Sequence, residues 1–189
     1  MGRYIPPHKR PQEPKHVQRK KVLVVPYIED PTTGDKHMIF FLDTDSKEWT
    51  LISGGCGMRD QTPLKCADRE LREESNNALC FSARVIPKDT IQSFSFETKF
   101  RVPTHKQKDR EENIDVTSLY HVFLAPVHIP FEQDSEKYYT SPSRNGETSG
   151  VTTFSYDMLK HASPQALKKM GFWHFILDDC LPRIQEYLS

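Results

Sequence analysis

Apolar and polar positions alternate along this chain in patterns that change character several times. Val22–Ile28 is a β-branched, apolar run, and Met38–Leu42 is a second one. Between them Asp30-Pro31-Thr32-Thr33-Gly34-Asp35 is dense in turn formers, which predicts a hairpin. Trp49–Ile52 reads as a short strand leading into Ser53-Gly54-Gly55, and Cys80–Ile86 as another strand. Phe94, Phe96, Thr98, Phe100 and Val102 then alternate with Ser95, Glu97, Lys99 and Arg101, the pattern of a half-buried strand. Val116–Ala125 is apolar at both parities and is expected at the centre of a sheet. Gly150–Phe154 is the last strand candidate.

Two segments have helical spacing instead. Thr62-Pro63 opens one, with Thr as N-cap and Pro at the first helical position, and Leu64, Ala67 and Leu71 form its apolar stripe. Ser163-Pro164 opens a carboxy-terminal helix on which Met170, Trp173, Ile176, Cys180, Ile184 and Tyr187 trace a 3–4 repeat that reads as core. Strands interleaved with a few helices predict an α/β or α+β domain. Residues 1–19 hold four prolines and few apolar residues, so a flexible arm is expected there, followed by one domain over residues 20–189. Thr104–Asn113 reads as a charged loop, and Pro126–Ser149 as a long polar one that carries Tyr138 and Tyr139.

Charge changes this picture. The net charge is zero, yet residues 1–21 carry seven Lys/Arg (Arg3, Lys9, Arg10, Lys15, Arg19, Lys20 and Lys21) against the single acid Glu13. A basic arm of +6 is therefore joined to a body of −6, which points to a polyanionic partner. The four cysteines, Cys56, Cys66, Cys80 and Cys180, show no C-x-x-C spacing. Reduced thiols in a cytoplasmic protein are expected from so few, rather than a disulfide frame or a zinc site. No apolar run reaches the roughly 18–20 residues that span a bilayer, and the basic amino terminus has no apolar core after it, so neither a membrane span nor a secretory signal is expected.

The candidate chemistry lies in Arg69-Glu70-Leu71-Arg72-Glu73-Glu74. Glu70, Glu73 and Glu74 stand at i, i+3 and i+4, which places three carboxylates along one side of a helix. Such carboxylates repel unless a cation joins them, and a divalent ion that works with substrate phosphates resolves the conflict. Gly54-Gly55 upstream supplies a turn where backbone can approach a ligand closely.

From Gly55 to Asn77 the chain resembles the Nudix box. That motif is Gly, five residues, Glu, seven residues, then Arg-Glu, an apolar residue, any residue, Glu-Glu, any residue, Gly and an apolar residue. Gly55, Arg69, Glu70, Leu71, Glu73 and Glu74 match it by spacing. Three positions depart. Gln61 replaces the early Glu, so Arg69 is expected to lean on another acid. Asn76 replaces the late Gly, which ends the helix in a left-handed conformation that Asn tolerates next best. Asn77 replaces the final apolar residue, with no account in the sequence. The resemblance implies a Nudix-type α/β/α sandwich with a mixed β-sheet and a C-terminal helix. It also implies Mg²⁺ or Mn²⁺ on Glu70, Glu73 and Glu74, with hydrolysis of nucleoside diphosphate-linked substrates. Family members often add an acid from a later loop, for which Glu111, Glu112 and Asp115 are the candidates. Glu112 is expected in catalysis beside Glu73, Glu74 and Arg69, and Asp115 among the metal ligands.

The Ile52–Cys56 stretch and the chain's size also resemble the mRNA-decapping Nudix enzymes of large DNA viruses. That likeness implies capped mRNA as partner and the host cytoplasm as location. The basic arm, together with His105, Lys106, Lys108 and Arg110, would track the RNA backbone. Gly54, Gly55, Trp49, Tyr138 and Tyr139 are the substrate-binding candidates, with the aromatics stacking on a base. Neither membrane binding nor DNA specificity is expected. Two other readings stand beside this one. The first is a Nudix hydrolase of dinucleoside polyphosphates, nucleotide sugars or diphosphoinositol polyphosphates. The second is a catalytically weak RNA-binding module.

Overall fold

The computed structural model describes residues 15–104, 112–128 and 146–188. Its core is a seven-stranded mixed sheet with helices on both faces. The elements are β1 (Lys15–Glu29), β2 (Lys36–Asp43), β3 (Trp49–Thr50), β4 (Ile52–Gly55), α1 (Pro63–Glu74), β5 (Gln92–Thr104), β6 (Glu112–Pro126), β7 (Thr148–Ser155), α2 (Tyr156–His161), α3 (Pro164–Lys169) and α4 (Leu181–Leu188). The main strand order is β3-β2-β1-β6-β5; β4 pairs with β1 and β7 pairs with β2. β1 and β6 run parallel in the middle, and the other pairs are antiparallel. This is the mixed α+β architecture expected from the alternation of strands and helices.

Strand alternation divides the apolar side chains between two layers. Leu23, Val25, Tyr120, Val122 and Leu124 face the carboxy-terminal helices, where Ile176, Cys180, Leu181 and Ile184 cover them. Val22, Val24, Phe123 and Ala125 face α1, whose Cys66, Ala67 and Leu71 complete the other layer. β6 is thus apolar on both faces because both are covered. The hairpin forms as expected: the carboxylate of Asp30 accepts the Thr32 N–H at 2.7 Å, and Gly34 turns the chain at φ 76°.

Four expectations are corrected. β1 starts at Lys15, not after residue 19, because residues 15–19 find a parallel partner in residues 114–118 of β6. Cys80–Ile86 forms no extended strand. It folds back on itself through isolated bridges from Phe81 and Ser82 to Ile86, and Asp68 takes the Phe81 N–H at 2.7 Å. The helix opened by Ser163-Pro164 ends at Lys169, since Gly171 has φ 86° and its carbonyl accepts the Trp49 N–H at 2.7 Å. Helical structure resumes near His174, passes through a wider π turn at Ile176–Cys180 and continues as α4. The expected apolar stripe is therefore split, and its ends, Met170 and Tyr187, are exposed. Finally, Cys56 and Cys66 are joined in a disulfide, while Cys80 and Cys180 are free. Sequence spacing of ten residues gave no sign of this pairing: Gly54 and Gly55 close β4 rather than form the expected turn, and Cys56 just after β4 meets Cys66 in the first turn of α1.

No helix among the described residues is long and apolar enough to cross a membrane. The arm up to residue 14, the cluster His105, Lys106, Lys108 and Arg110, and also Glu111, Tyr138 and Tyr139 lie outside the described residues.

Candidate active site

α1 starts where its sequence dictates. The Thr62 hydroxyl accepts the Lys65 N–H at 3.2 Å, with Pro63 at the first helical position. At the other end Asn76 and Asn77 both take positive φ, 52° and 64°, and the Asn77 N–H returns to the Arg72 carbonyl at 2.8 Å. Asn77 thus stands where it does for the same reason as Asn76: both sit in left-handed backbone, which Asn adopts more readily than an apolar residue.

Arg69 organises the face of α1 that meets the end of β4. Its Nε and Nη2 donate to Asp60 at 2.9 and 3.1 Å, and Nη2 also donates to the Gly55 carbonyl at 3.0 Å. It pairs in addition with Glu70 at 2.9 Å and with Glu73 at 3.0 Å. Asp60, which also accepts the Gly57 N–H at 2.7 Å, is the acid that replaces the one missing at position 61. Gln61 turns the other way and accepts a hydrogen bond from Lys65 Nζ at 2.5 Å. The Arg69 guanidinium and the Gly57 N–H hold the Asp60 carboxyl below the usual carboxylate range, and Asp60 in turn raises the pKa of Arg69. Sequence reasoning missed Asp60 itself; its position one residue before Gln61 was the available signal.

The three glutamates do not behave as one face. Glu70 and Glu74 are buried, 6% and 7% exposed. Glu73 is 45% exposed at its side chain and turns back to Arg69 one helical turn away. Glu70 lies directly against β4, where a Cβ on Gly54 would fall inside its carboxyl group. The Glu74 carboxylate accepts the Ser53 N–H at 3.3 Å, and its backbone carbonyl accepts the Thr148 hydroxyl at 2.6 Å. Burial, then the charge of Glu70, pushes the pKa of Glu74 up to about 9. Burial also raises the pKa of Glu70, against the pull of Arg69.

Glu74 opens into a cleft of about 350 Å³ lined by Asp43, Asp45, Glu48, Ser53, Glu147, Thr148 and Trp173, among others. Asp43 closes β2, Glu147 precedes β7, and Trp173 follows the break after α3. Glu147 raises the pKa of both Glu70 and Glu74. None of Asp43, Glu147 and Trp173 was a candidate from sequence, since each reaches the cleft only through long-range pairing. Trp49 does not line this cleft; its ring lies 6.0 Å from that of Phe154, partly buried against the core.

Asp115 is placed elsewhere. It pairs with His16 on β1, five positions before Lys21, which pairs with Gly55. That is about 16 Å along a strand. Asp115 lines a separate groove with His16, Gln18, Glu97, Lys99 and Thr117. Glu112 opens β6 opposite Thr104, within the sheet rather than in the expected loop. Among the described residues no three His, Cys, Asp or Glu side chains converge closely enough to enclose a metal ion. The chemistry of the site nevertheless fits a divalent cation. Two buried carboxyls stand together at Glu70 and Glu74, with three more acids and Glu147 around the cleft, and oxygen-rich sets of this kind take hard divalent ions.

No protein-family model and no curated protein matches the chain. Among solved structures, an Ap4A hydrolase binary complex from C. elegans overlays with TM-score 0.47 at 13% identity, covering 90% of this chain and 97% of that one. The NUDIX domain of Shewanella oneidensis NrtR complexed with ADP ribose overlays with TM-score 0.45 at 12% identity, covering 92% and 90%. A MutT/nudix family protein from Enterococcus faecalis overlays with TM-score 0.44 at 12% identity, covering 78% of this chain; the match spans about half, 48%, of that protein. At such identities and scores these overlaps assign neither activity nor substrate to this chain.

Proposed function

We propose that this protein is a divalent-metal-dependent hydrolase of nucleoside diphosphate-linked substrates that acts on the 5′ cap of mRNA. Water adds to phosphorus, a bridging P–O bond breaks, and the products are methylated GDP and RNA with a 5′-monophosphate. The observation that carries this reading is the buried pair at the spacing of the Nudix box: Glu70, set against Gly54 and paired with Arg69, and Glu74, which accepts the Ser53 N–H. Mg²⁺ or Mn²⁺ held there by Glu70 and Glu74, with Glu147 as the further acid, would neutralise phosphate oxygens and activate the attacking water.

The chain's own residues prepare that site. Arg69 ties the end of β4 at Gly55 to α1, and its ion pair holds Glu70 in place. Glu74 holds a proton at neutral pH and must release it when a cation binds. Glu73, paired with Arg69, positions that guanidinium. Trp173 favours the cap over other nucleotides. Its side chain lines a cleft that carries five acids, Asp43, Asp45, Glu48, Glu74 and Glu147. A positively charged methylated guanine gains from both the ring and the acids.

The test is incubation with Mg²⁺ or Mn²⁺ and RNA labelled in its cap, beside free cap analogue and dinucleoside polyphosphates. Methylated GDP released from capped RNA is the expected product. Turnover of dinucleoside polyphosphates alone would assign the small-substrate reading, and tight RNA binding with no turnover would assign a binding module.

A further inference from the structure

Beside the acidic cleft the sheet carries a row of cations. Arg19 and Lys21 lie on the same face of β1 as Leu23 and Val25, since strand side chains alternate. Lys21 pairs with Gly55 in the register and interacts with the charge of Glu70. Its Nζ stands 5.7 Å from the centre of the Tyr120 ring. Tyr120 stacks on Phe96 at 5.3 Å, and the Arg183 guanidinium lies 4.5 Å from the centre of the Phe96 ring. Contacts thus lead from Lys21 on β1 over Tyr120 on β6 and Phe96 on β5 to Arg183 on α4.

We propose that Arg19, Lys21 and Arg183 form a track for the phosphodiester backbone of a single-stranded RNA whose 5′ end lies in the acidic cleft. This deepens the proposed function and rests on it for the placement of the 5′ end. Three observations support the track. Arg19 and Lys21, two residues apart on one face of β1, repel each other, and an anion spanning both relieves that cost. Their separation, two residues along a strand or about 7 Å, is the scale of one nucleotide in an extended strand. One turn beyond Arg183 on α4, Tyr187 stacks one face of its ring on Phe94 at 4.3 Å and remains 44% exposed, a platform on which a base can stack. The carboxylate ion pair of Arg183 with Asp179 is long, 3.7 Å, and half-exposed, while Arg183 Nη1 also donates to the Asp179 backbone carbonyl, so the guanidinium keeps other N–H groups for a phosphate.

The experiment measures binding of a fluorescein-labelled, 5′-monophosphorylated single-stranded RNA by anisotropy over a salt series in EDTA. The full chain is compared with Arg19→Gln, Arg183→Gln and their double variant. Lys168→Gln/Lys169→Gln, on exposed α3 positions, is the control. Each track variant should weaken binding several-fold and lower the slope of log K against log salt by about 0.7, the double variant by about 1.4, with the control unchanged. Arg19→Lys should keep the slope. Thermal melts matching the parent exclude misfolding. A wild-type affinity and slope in the double variant, or an equal loss in the control, overturns the track. Because turnover plays no part in EDTA, the two readings fail separately. A lowered slope in a protein that hydrolyses nothing retains the track and removes the hydrolase, while cleavage of capped RNA with an unchanged slope does the reverse.

Discussion

Gly54 and Glu70 compete for one volume: any side chain at position 54 would overlap the Glu70 carboxyl group. β4 lies so close to α1 that only a residue without a Cβ lets the carboxylate sit beneath it. Gly54 is required for this close approach and not for a special φ, since its backbone is not left-handed. Gly54→Ala is expected to push Glu70 aside, costing about 1–3 kcal/mol of stability through overpacking. Hydrolysis should fall by about a hundredfold or more, as misplaced catalytic groups do. Gly55→Ala, with open space around its Cβ position, should be mild by comparison. Denaturant unfolding and steady-state rates of the two variants check the contrast; equal effects would remove Glu70 from the site.

Glu74 makes the metal-free protein sensitive to pH. Its pKa rises from the ordinary value of 4.5 to about 9 on folding, so between these values the folded state binds more protons than the unfolded one. Stability from this group is complete below the lower value and is lost as pH rises toward the upper one. Thermal melts in EDTA should therefore fall in midpoint from pH 5 to pH 9, and Glu74→Gln should flatten that decline while abolishing hydrolysis. Cation binding must displace the same proton. Calorimetry with Mn²⁺ at pH 7, in buffers of different ionisation enthalpy, should show about one proton released by the parent and less by Glu74→Gln.

Arg69 and Asp60 should prove inseparable. Arg69→Ala leaves the Asp60 carboxylate, 8% exposed, without its guanidinium and frees the end of β4 at Gly55 from α1. The expected destabilisation is about 2–3 kcal/mol, below the figure for a fully buried pair because Arg69 is itself partly exposed. Asp60→Asn should cost less and should couple to Arg69→Ala in a double-mutant cycle. Adding Gln61→Glu to Asp60→Asn should not restore stability, since position 61 faces Lys65. Recovery in that double variant would mean that the turn can rearrange.

The Cys56–Cys66 bridge closes the short loop between β4 and α1. Constraint of the unfolded chain over ten residues corresponds to about 2–3 kcal/mol. Thiol titration of the denatured protein should find two free thiols without reductant and four with it, and the reduced protein should melt several degrees lower. Four thiols without reductant would show the bridge absent. Burial raises the pKa of the Cys180 thiol, so in the folded protein Cys180 should resist alkylation.

Local signals were enough for the hairpin at Asp30–Asp35, the start of α1 at Thr62, the alternation of β5 and the double-sided burial of β6. Each depends on residues within a few positions of one another: a turn former, a cap, a period of two or of 3.6. The motif around Glu70 was legible for the same reason, including the need for another acid near Arg69. The composition of the cleft was not. Asp43, Glu147 and Trp173 come from three distant parts of the chain and meet Glu74 only because β2 pairs with β7 and the chain breaks at Gly171. The outward turn of Glu73 follows from competition for Arg69, and the position of Asp115 in another groove from the register of β6 on β1. Helical spacing says which side chains share a stripe of α1, whereas packing against β4 decides which of them are buried. The sequence by itself determined the elements and the acids available, because neighbour-to-neighbour sterics and hydrogen bonding act locally; only the tertiary structure decided which carboxylates meet, because strand register and layer packing join residues far apart in the chain.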